Sequence, residues 1–179
     1  SGVSDITLFD THGPINRDRT DLDSHRAALL TWTNPRNLTG TLQESLAGAD
    51  VFIGLSAPNL LTGDDIATMA ENSIVFALAN PDPEVNPVEA AKHAAVVATG
   101  RSDYPNQINN VLAFPGIFRG LLDAHAHKIT NAVLLAAADA IASCVGDHEL
   151  SPIYIVPSVF HPEITSRVAT AVAHAVPKH

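Results

Sequence analysis

Val51-Phe52-Ile53-Gly54-Leu55-Ser56, Ile74-Val75-Phe76-Ala77-Leu78-Ala79-Asn80 and Ala95-Val96-Val97-Ala98-Thr99-Gly100 are three short apolar runs, each closed by a small or polar residue. The runs are continuous rather than alternating, which predicts strands buried on both faces. Helix-forming stretches separate them. Thr62 and Asp65 make a capping box ahead of Ile66 and Met69. Pro87 suits the first turn of a helix running through Val88 to His93. Strands alternating with helices predict an α/β fold with a doubly wound parallel sheet.

The pattern extends in both directions. Ile6-Thr7-Leu8-Phe9, ending at Asp10, reads as a further strand. Downstream, Ile129, Val133, Ala136, Ala140, Ile141 and Cys144 recur at helical spacing until Gly146 stops the run. Ile153-Tyr154-Ile155-Val156, capped by Pro157, is an edge strand or an extended arm. Pro162 opens a last helix with Ile164, Val168 and Val172 on one stripe. No repeat, low-complexity tract or linker interrupts the chain, so one domain is expected.

Composition narrows the partners. The 179 residues carry a formal net charge of −9, are 46% hydrophobic and only 5% aromatic. An acidic balance disfavours nucleic acid and anionic membrane surfaces, which repel it. No apolar run approaches the length of a membrane-spanning helix. The single cysteine, Cys144, rules out an intramolecular disulfide and is compatible with a reducing, cytoplasmic setting. The first residues lack the basic and apolar regions of a signal peptide and lack a starting Met, so a processed or trimmed chain is expected.

In doubly wound sheets ligands sit beyond the carboxyl ends of the strands. Those ends here are Asp10, Ser56, Asn80 and Thr99-Gly100. An acid at the end of the second strand of a dinucleotide fold accepts hydrogen bonds from the adenosine ribose, a role open to Asp10. A turn or helix cap is the competing reading. No G-x-G-x-x-G occurs in the sequence. That loop belongs about 20 residues before the ribose acid, and Asp10 stands too near Ser1 for it. The expectation is therefore a fold lacking its first strand and glycine-rich loop. The gap between the Ile6–Phe9 and Val51–Leu55 strands would be filled by a preceding part of the same protein.

The stretch 100–110, from Gly100-Arg101-Ser102 to Ile108-Asn109-Asn110, is dense in side-chain amides. Amides bind a carboxylate and a carboxamide together without adding charge. A polar loop with Asn in left-handed turns is the alternative.

As a string, Ala98-Thr99-Gly100-Arg101-Ser102-Asp103-Tyr104-Pro105-Asn106-Gln107-Ile108-Asn109-Asn110, followed by Val111-Leu112-Ala113-Phe114-Pro115-Gly116-Ile117-Phe118-Arg119-Gly120, resembles the signature of malic enzymes. Phe76 to Pro81, Ala49 to Ser56, and Phe9-Asp10 with Gly13 and Arg19 resemble further family elements. The resemblance covers most of the chain and is strongest from Leu42 to Val145. It implies a Rossmann-like NAD(P)-binding domain over residues 1–145, with 146–179 as its carboxyl-terminal arm and helix.

The implied activity is oxidative decarboxylation of malate to pyruvate with NAD or NADP and a divalent metal, Mg or Mn. Asn80 and Asn109 would line the nicotinamide end of the pocket. Asn80 and Asn110 would meet substrate, with Asn110 holding a carboxylate of malate. Asp10 would meet the adenosine ribose, leaning the cofactor towards NAD. Ser56 and Ala57 would border the dinucleotide. The family's acid/base Tyr and Lys and its metal carboxylates have no counterpart here, so this chain alone is expected to be inactive, with catalytic and metal residues supplied by the preceding part. A homodimer is the implied assembly.

Rival readings concern other residues. The nine histidines are scattered; His125 and His127, two apart, would face different sides of a helix, and no zinc motif forms. Cys144 sits on an apolar stripe and reads as core. Arg17 and Arg19 would meet an NADP phosphate or anchor their loop. A non-catalytic dinucleotide-binding or sensing module is the alternative function. The amide-rich signature argues against another dehydrogenase of the same fold.

Overall fold

The computed structural model describes residues 2–177. Its centre is a parallel sheet of three strands in the order β3 (Val51–Gly54), β4 (Ile74–Ala77) and β5 (Val96–Thr99). The register is even: Gly54 faces Ala77, and Ala77 faces Thr99, so all three strands end on one line. Parallel neighbours need a crossover, and short helices provide it. Helix α2 (Leu42–Leu46) precedes β3, α3 (Gly63–Ala67) links β3 to β4, and α4 (Pro87–Ala90) links β4 to β5.

Capping explains where these helices begin. Thr62 accepts from the Asp65 amide while Asp65 accepts from that of Thr62, the reciprocal box expected from the sequence. Thr41 and Glu44 form a second such box at α2. Asn86 accepts from Val88 and Glu89 to start α4, which ends at Ala90, short of the expected His93.

One face of the sheet packs Phe52, Val75 and Ala77 against Leu46, Leu61, Ile66, Met69, Val85 and Ala90. The opposite face departs from the expectation of strands buried on both sides. Val51 is 48% exposed and Ile53 60% exposed, because no layer of the described residues covers them. The outer edge of β3 has no partner strand among the described residues.

One expected strand differs, and the alternative left open for Ile153–Val156 is decided. Of Ile6–Phe9, only Phe9 extends into a strand, β1 (Phe9–Asp10), which turns back antiparallel onto β2 (Gly13–Pro14) instead of joining the parallel sheet. The local turn wins because its hydrogen bonds lie within reach: Asp10 accepts from the His12 amide, and Ile15 donates to the Leu8 carbonyl. The segment Ile153–Val156 is an arm rather than a strand, with one isolated bridge between Ser151 and Tyr154. A short helix α1 (Ser24–Leu29), capped by Asp23, follows the hairpin.

A second core joins α5 (Phe114–Asp123), α6 (Asn131–Ala142) and α7 (Ile164–Ala175). Val133, Ala140 and Cys144 are buried as their spacing predicts, and so are Ile164, Val168 and Val172. Ile129 of the same expected stripe is exposed and precedes α6. Cys144 is part of this core, where burial pushes its thiol pKa up, as suits a packing group rather than a nucleophile. Helices α5 and α7 cross closely because Gly116 and Gly120 lie against Val168 and Val172.

Candidate functional site

The aligned strand ends create the crevice. Beyond β3 come Leu55, Ser56 and Ala57, all exposed; beyond β4 comes Asn80, also exposed; beyond β5 comes Gly100. A Cβ on Gly100 would stand 3.0 Å from Oδ1 of Asn80 and 3.4 Å from its Nδ2. The glycine thus lets the Asn80 amide lie flush against the end of β5.

The amide-rich loop folds back onto the same edge. Ile108 donates its amide to the Thr99 carbonyl at 2.8 Å, and Gln107 bridges to Thr99. This return places Asn109 and Asn110 after the end of β5. Asn109 accepts from the Val111 amide and starts a 3-10 turn, Asn110–Leu112. Asn110 is exposed, and among the described residues its side chain has no hydrogen-bond partner. Its amide is available to a ligand, whereas the oxygen of Asn109 is partly committed to capping.

Asn106 anchors the loop. It is buried with a φ of 55°, a left-handed turn, so the polar-loop reading holds at this position. Its Nδ2 donates to the carbonyls of Val97 and Pro152, and its Oδ1 accepts from Ile155. Arg101 joins two loops, pairing with Asp103 beside it and with Asp82 after β4, and lying over the Tyr104 ring. The Asp103 carboxylate chiefly, with Asp82 further off, raises the Arg101 pKa.

Asp10 stands apart from the sheet, at the hairpin. Arg19 donates to both its oxygens, at 2.8 and 3.0 Å, and to both oxygens of Asp21. The hydrogen bond from Arg19 is the main reason the Asp10 pKa is lowered; the Asp21 pKa falls to about 2 for the same reason. Arg17 donates to the Asn34 carbonyl. Both arginines therefore anchor their loop, one of the two roles open to them.

One residue of the site gave no sequence signal. Glu84 is fully buried, and its carboxylate accepts from the amides of Ser56 at 2.9 Å and Ala79 at 3.1 Å. A lone acid in the turn after Pro83 has no periodicity to mark it as interior.

The donor set suits a dinucleotide, with amide groups and open backbone along the strand ends. It does not suit a metal: among the described residues no three His, Cys, Asp or Glu side chains converge. His125 and His127 lie in the loop after α5 rather than on a helix, and His179 is outside the described residues. No helix among them is long and apolar enough to cross a membrane.

Comparison with known proteins gives the family. Residues 1–177 match the family model described as the malic enzyme, NAD binding domain. The chain is 53% identical over 175 residues to an NAD-dependent malic enzyme of Geobacillus stearothermophilus, covering 98% of this chain and 37% of that protein. It is 44% identical to an NADP-dependent malic enzyme of Rhizobium meliloti, covering 95% of this chain and 24% of that one. The crystal structure of an NAD-dependent malic enzyme from Thermotoga maritima superposes with a TM-score of 0.88 at 42% identity, over 96% of this chain and 45% of that chain. The chain therefore spans less than half the length of each of these relatives.

Proposed function

Because the chain belongs to the malic enzyme family through its NAD-binding domain, we propose that the whole protein oxidises malate to pyruvate and carbon dioxide while reducing NAD or NADP. The observation that carries the reading is the amide-lined edge, where Asn80 lies against Gly100 and the uncommitted Asn110 follows the loop returning to Thr99.

In this reading Ser56 and Ala57 border the dinucleotide, and Asn80 and Asn109 line its nicotinamide end. Asn80 also meets substrate, and Asn110 donates to a malate carboxylate. Asp10 serves the adenosine ribose, with Arg19 holding its carboxylate ionised and oriented. The dinucleotide, when bound, accepts the hydride from malate. The residues of this chain orient the two reactants and offer neutral amides to the carboxamide and carboxylate. Withdrawing the hydroxyl proton needs a base, and the decarboxylation needs a Lewis acid on the carbonyl. The family's acid/base Tyr and Lys and its metal carboxylates have no matching positions in this chain, so the resemblance assigns both roles to other sequence of the same protein. The divalent Mg or Mn and a homodimer rest on the family resemblance alone, and a cytoplasmic setting on the single cysteine.

The test is reduction of NAD and NADP by malate in the full-length protein with Mg²⁺ or Mn²⁺, alongside its Asn110→Ala variant. Losing hydrogen bonds to a charged carboxylate should cost roughly 1.5–3 kcal/mol, or about tenfold to a hundredfold in malate affinity, with dinucleotide affinity held. No malate-dependent reduction by the unsubstituted protein would refute the proposal. Unchanged malate constants in the variant would make Asn110 a loop residue only.

A further inference from the structure

Leu78 donates to the Gly54 carbonyl at 3.0 Å, the last backbone bond between β3 and β4. Two residues beyond the paired Gly54 and Ala77 stand Ser56 and Ala79, whose amides both donate to one side chain. The Glu84 carboxylate lies between them and takes one amide on each oxygen. It joins the two segments beyond the last backbone bond between the strands.

Room for it comes from Gly54. A Cβ there would meet Oε1 of Glu84 at 2.5 Å and its Cγ at 2.8 Å. The backbone of the acid is tied down too, since Leu61 donates to the Glu84 carbonyl and Asn59 to that of Pro83. Among the described residues no Lys, Arg or His forms an ion pair with Glu84. A buried carboxylate without a cation is costly, and only a carboxylate presents two acceptors to two converging donors. A glutamine would turn its NH₂ towards one of them.

We propose that Glu84 is a positioning residue for the dinucleotide crevice: through the amides of Ser56 and Ala79 it fixes the spacing between the Ser56-Ala57 loop and Asn80. This rests on the dinucleotide reading above. Glu84 touches no reacting atom; it acts through the loops that do.

The experiment compares full-length wild type with Glu84→Gln, Glu84→Asp and Gly54→Ala. Melting temperature, Kd for NADH by fluorescence, and the malate KM at saturating dinucleotide are measured. In Glu84→Gln the Kd should rise roughly tenfold, from the loss of a charge-assisted hydrogen bond. The malate KM should rise too, because Ala79 carries Asn80, which also meets substrate, and Glu84→Asp should fall between Gln and wild type. A folded Glu84→Gln protein with wild-type Kd overturns the inference. So does a Glu84→Asp protein no closer to wild type in Kd than Glu84→Gln, since the carboxylate would then play no part in placing the loops. If Glu84→Gln does not fold, Gly54→Ala decides by the same two constants, because its methyl group displaces the carboxylate without removing it. Wild type that binds no dinucleotide would overturn the function reading, and this inference with it.

Discussion

Arg19 grips Asp10 with two donors, Nη1 to Oδ1 at 2.8 Å and Nη2 to Oδ2 at 3.0 Å, and holds Asp21 with the same guanidinium. A planar fork matched to a carboxylate gives geometric specificity that a lysine lacks. Asp10 is the candidate ribose acceptor, so its charge is partly offset by Arg19 before any cofactor arrives.

That pairing bears on cofactor choice. A bare acid repels a 2′-phosphate, whereas an arginine beside it attracts one. Arg19→Met in the full-length protein should therefore lower catalytic efficiency with NADP more than with NAD, by roughly tenfold if the guanidinium reaches the phosphate. An unchanged NAD-to-NADP ratio would limit Arg19 to anchoring the loop.

The same pair predicts an acid sensitivity. Asp10 and Asp21 are held below the ordinary carboxylate value of 3.8, Asp21 at about 2. A depressed carboxyl binds fewer protons folded than unfolded, so its contribution is present above 3.8 and is lost as pH falls towards 2. Both groups are near solvent, so the effect is a modest fall in melting temperature across that interval. Arg19→Met should flatten it, and carboxyl resonances followed by NMR should show both acids returning towards ordinary values.

The features legible in the sequence were those with a local cause. β3, β4 and β5 were marked by apolar runs with polar ends, α3 by its capping box, and the stripes of α6 and α7 by their periodicity. Ile6–Phe9 misled because an apolar run does not say which strand lies beside it; the hairpin at Gly13 supplied the partner. Val51 and Ile53 looked doubly buried because continuous apolarity cannot reveal which layer covers a face. Within the site, the amide-rich loop was visible by composition. Glu84 was not, since its burial depends on amides 28 and 5 residues away and on the missing side chain of Gly54.

The crossing of α5 and α7 sets two effects against each other at Gly120. Alanine is the better helix former by about 1 kcal/mol. Yet a Cβ at Gly120 would stand 2.8 Å from Cβ and Cγ1 of Val172 and closer still to the Ala169 carbonyl, which is backbone and cannot swing away. Overpacking of this kind costs about 1–3 kcal/mol, so the steric term wins. Gly120→Ala should lower stability in urea or thermal unfolding, and pairing it with Val172→Ala should recover part of the loss. A Gly120→Ala protein as stable as wild type would show that the helices separate freely.

Asn106 offers the sharpest test of how the loop is held. Its side chain supplies both partners that the exposed side of β5 and the 152–155 arm require: Nδ2 to Val97 and Pro152, Oδ1 from Ile155. It does so from a left-handed backbone, φ 55°, which asparagine tolerates better than most residues. Asn106→Gly keeps the backbone and removes only the bonds, leaving two part-buried carbonyls and an amide without these partners, at roughly 1–3 kcal/mol in total. Asn106→Ala removes the same bonds and adds left-handed strain of about 1–2 kcal/mol. The expected order of unfolding free energies is wild type, then Gly, then Ala, the reverse of the usual effect of replacing alanine by glycine. Asn106→Asp keeps the acceptor for Ile155 but sets an oxygen against two carbonyls, so it should fall near Ala. If Ala proves as stable as Gly, the left-handed turn is relaxed at no cost; if all three match wild type, Asn106 does not tie the arm to β5.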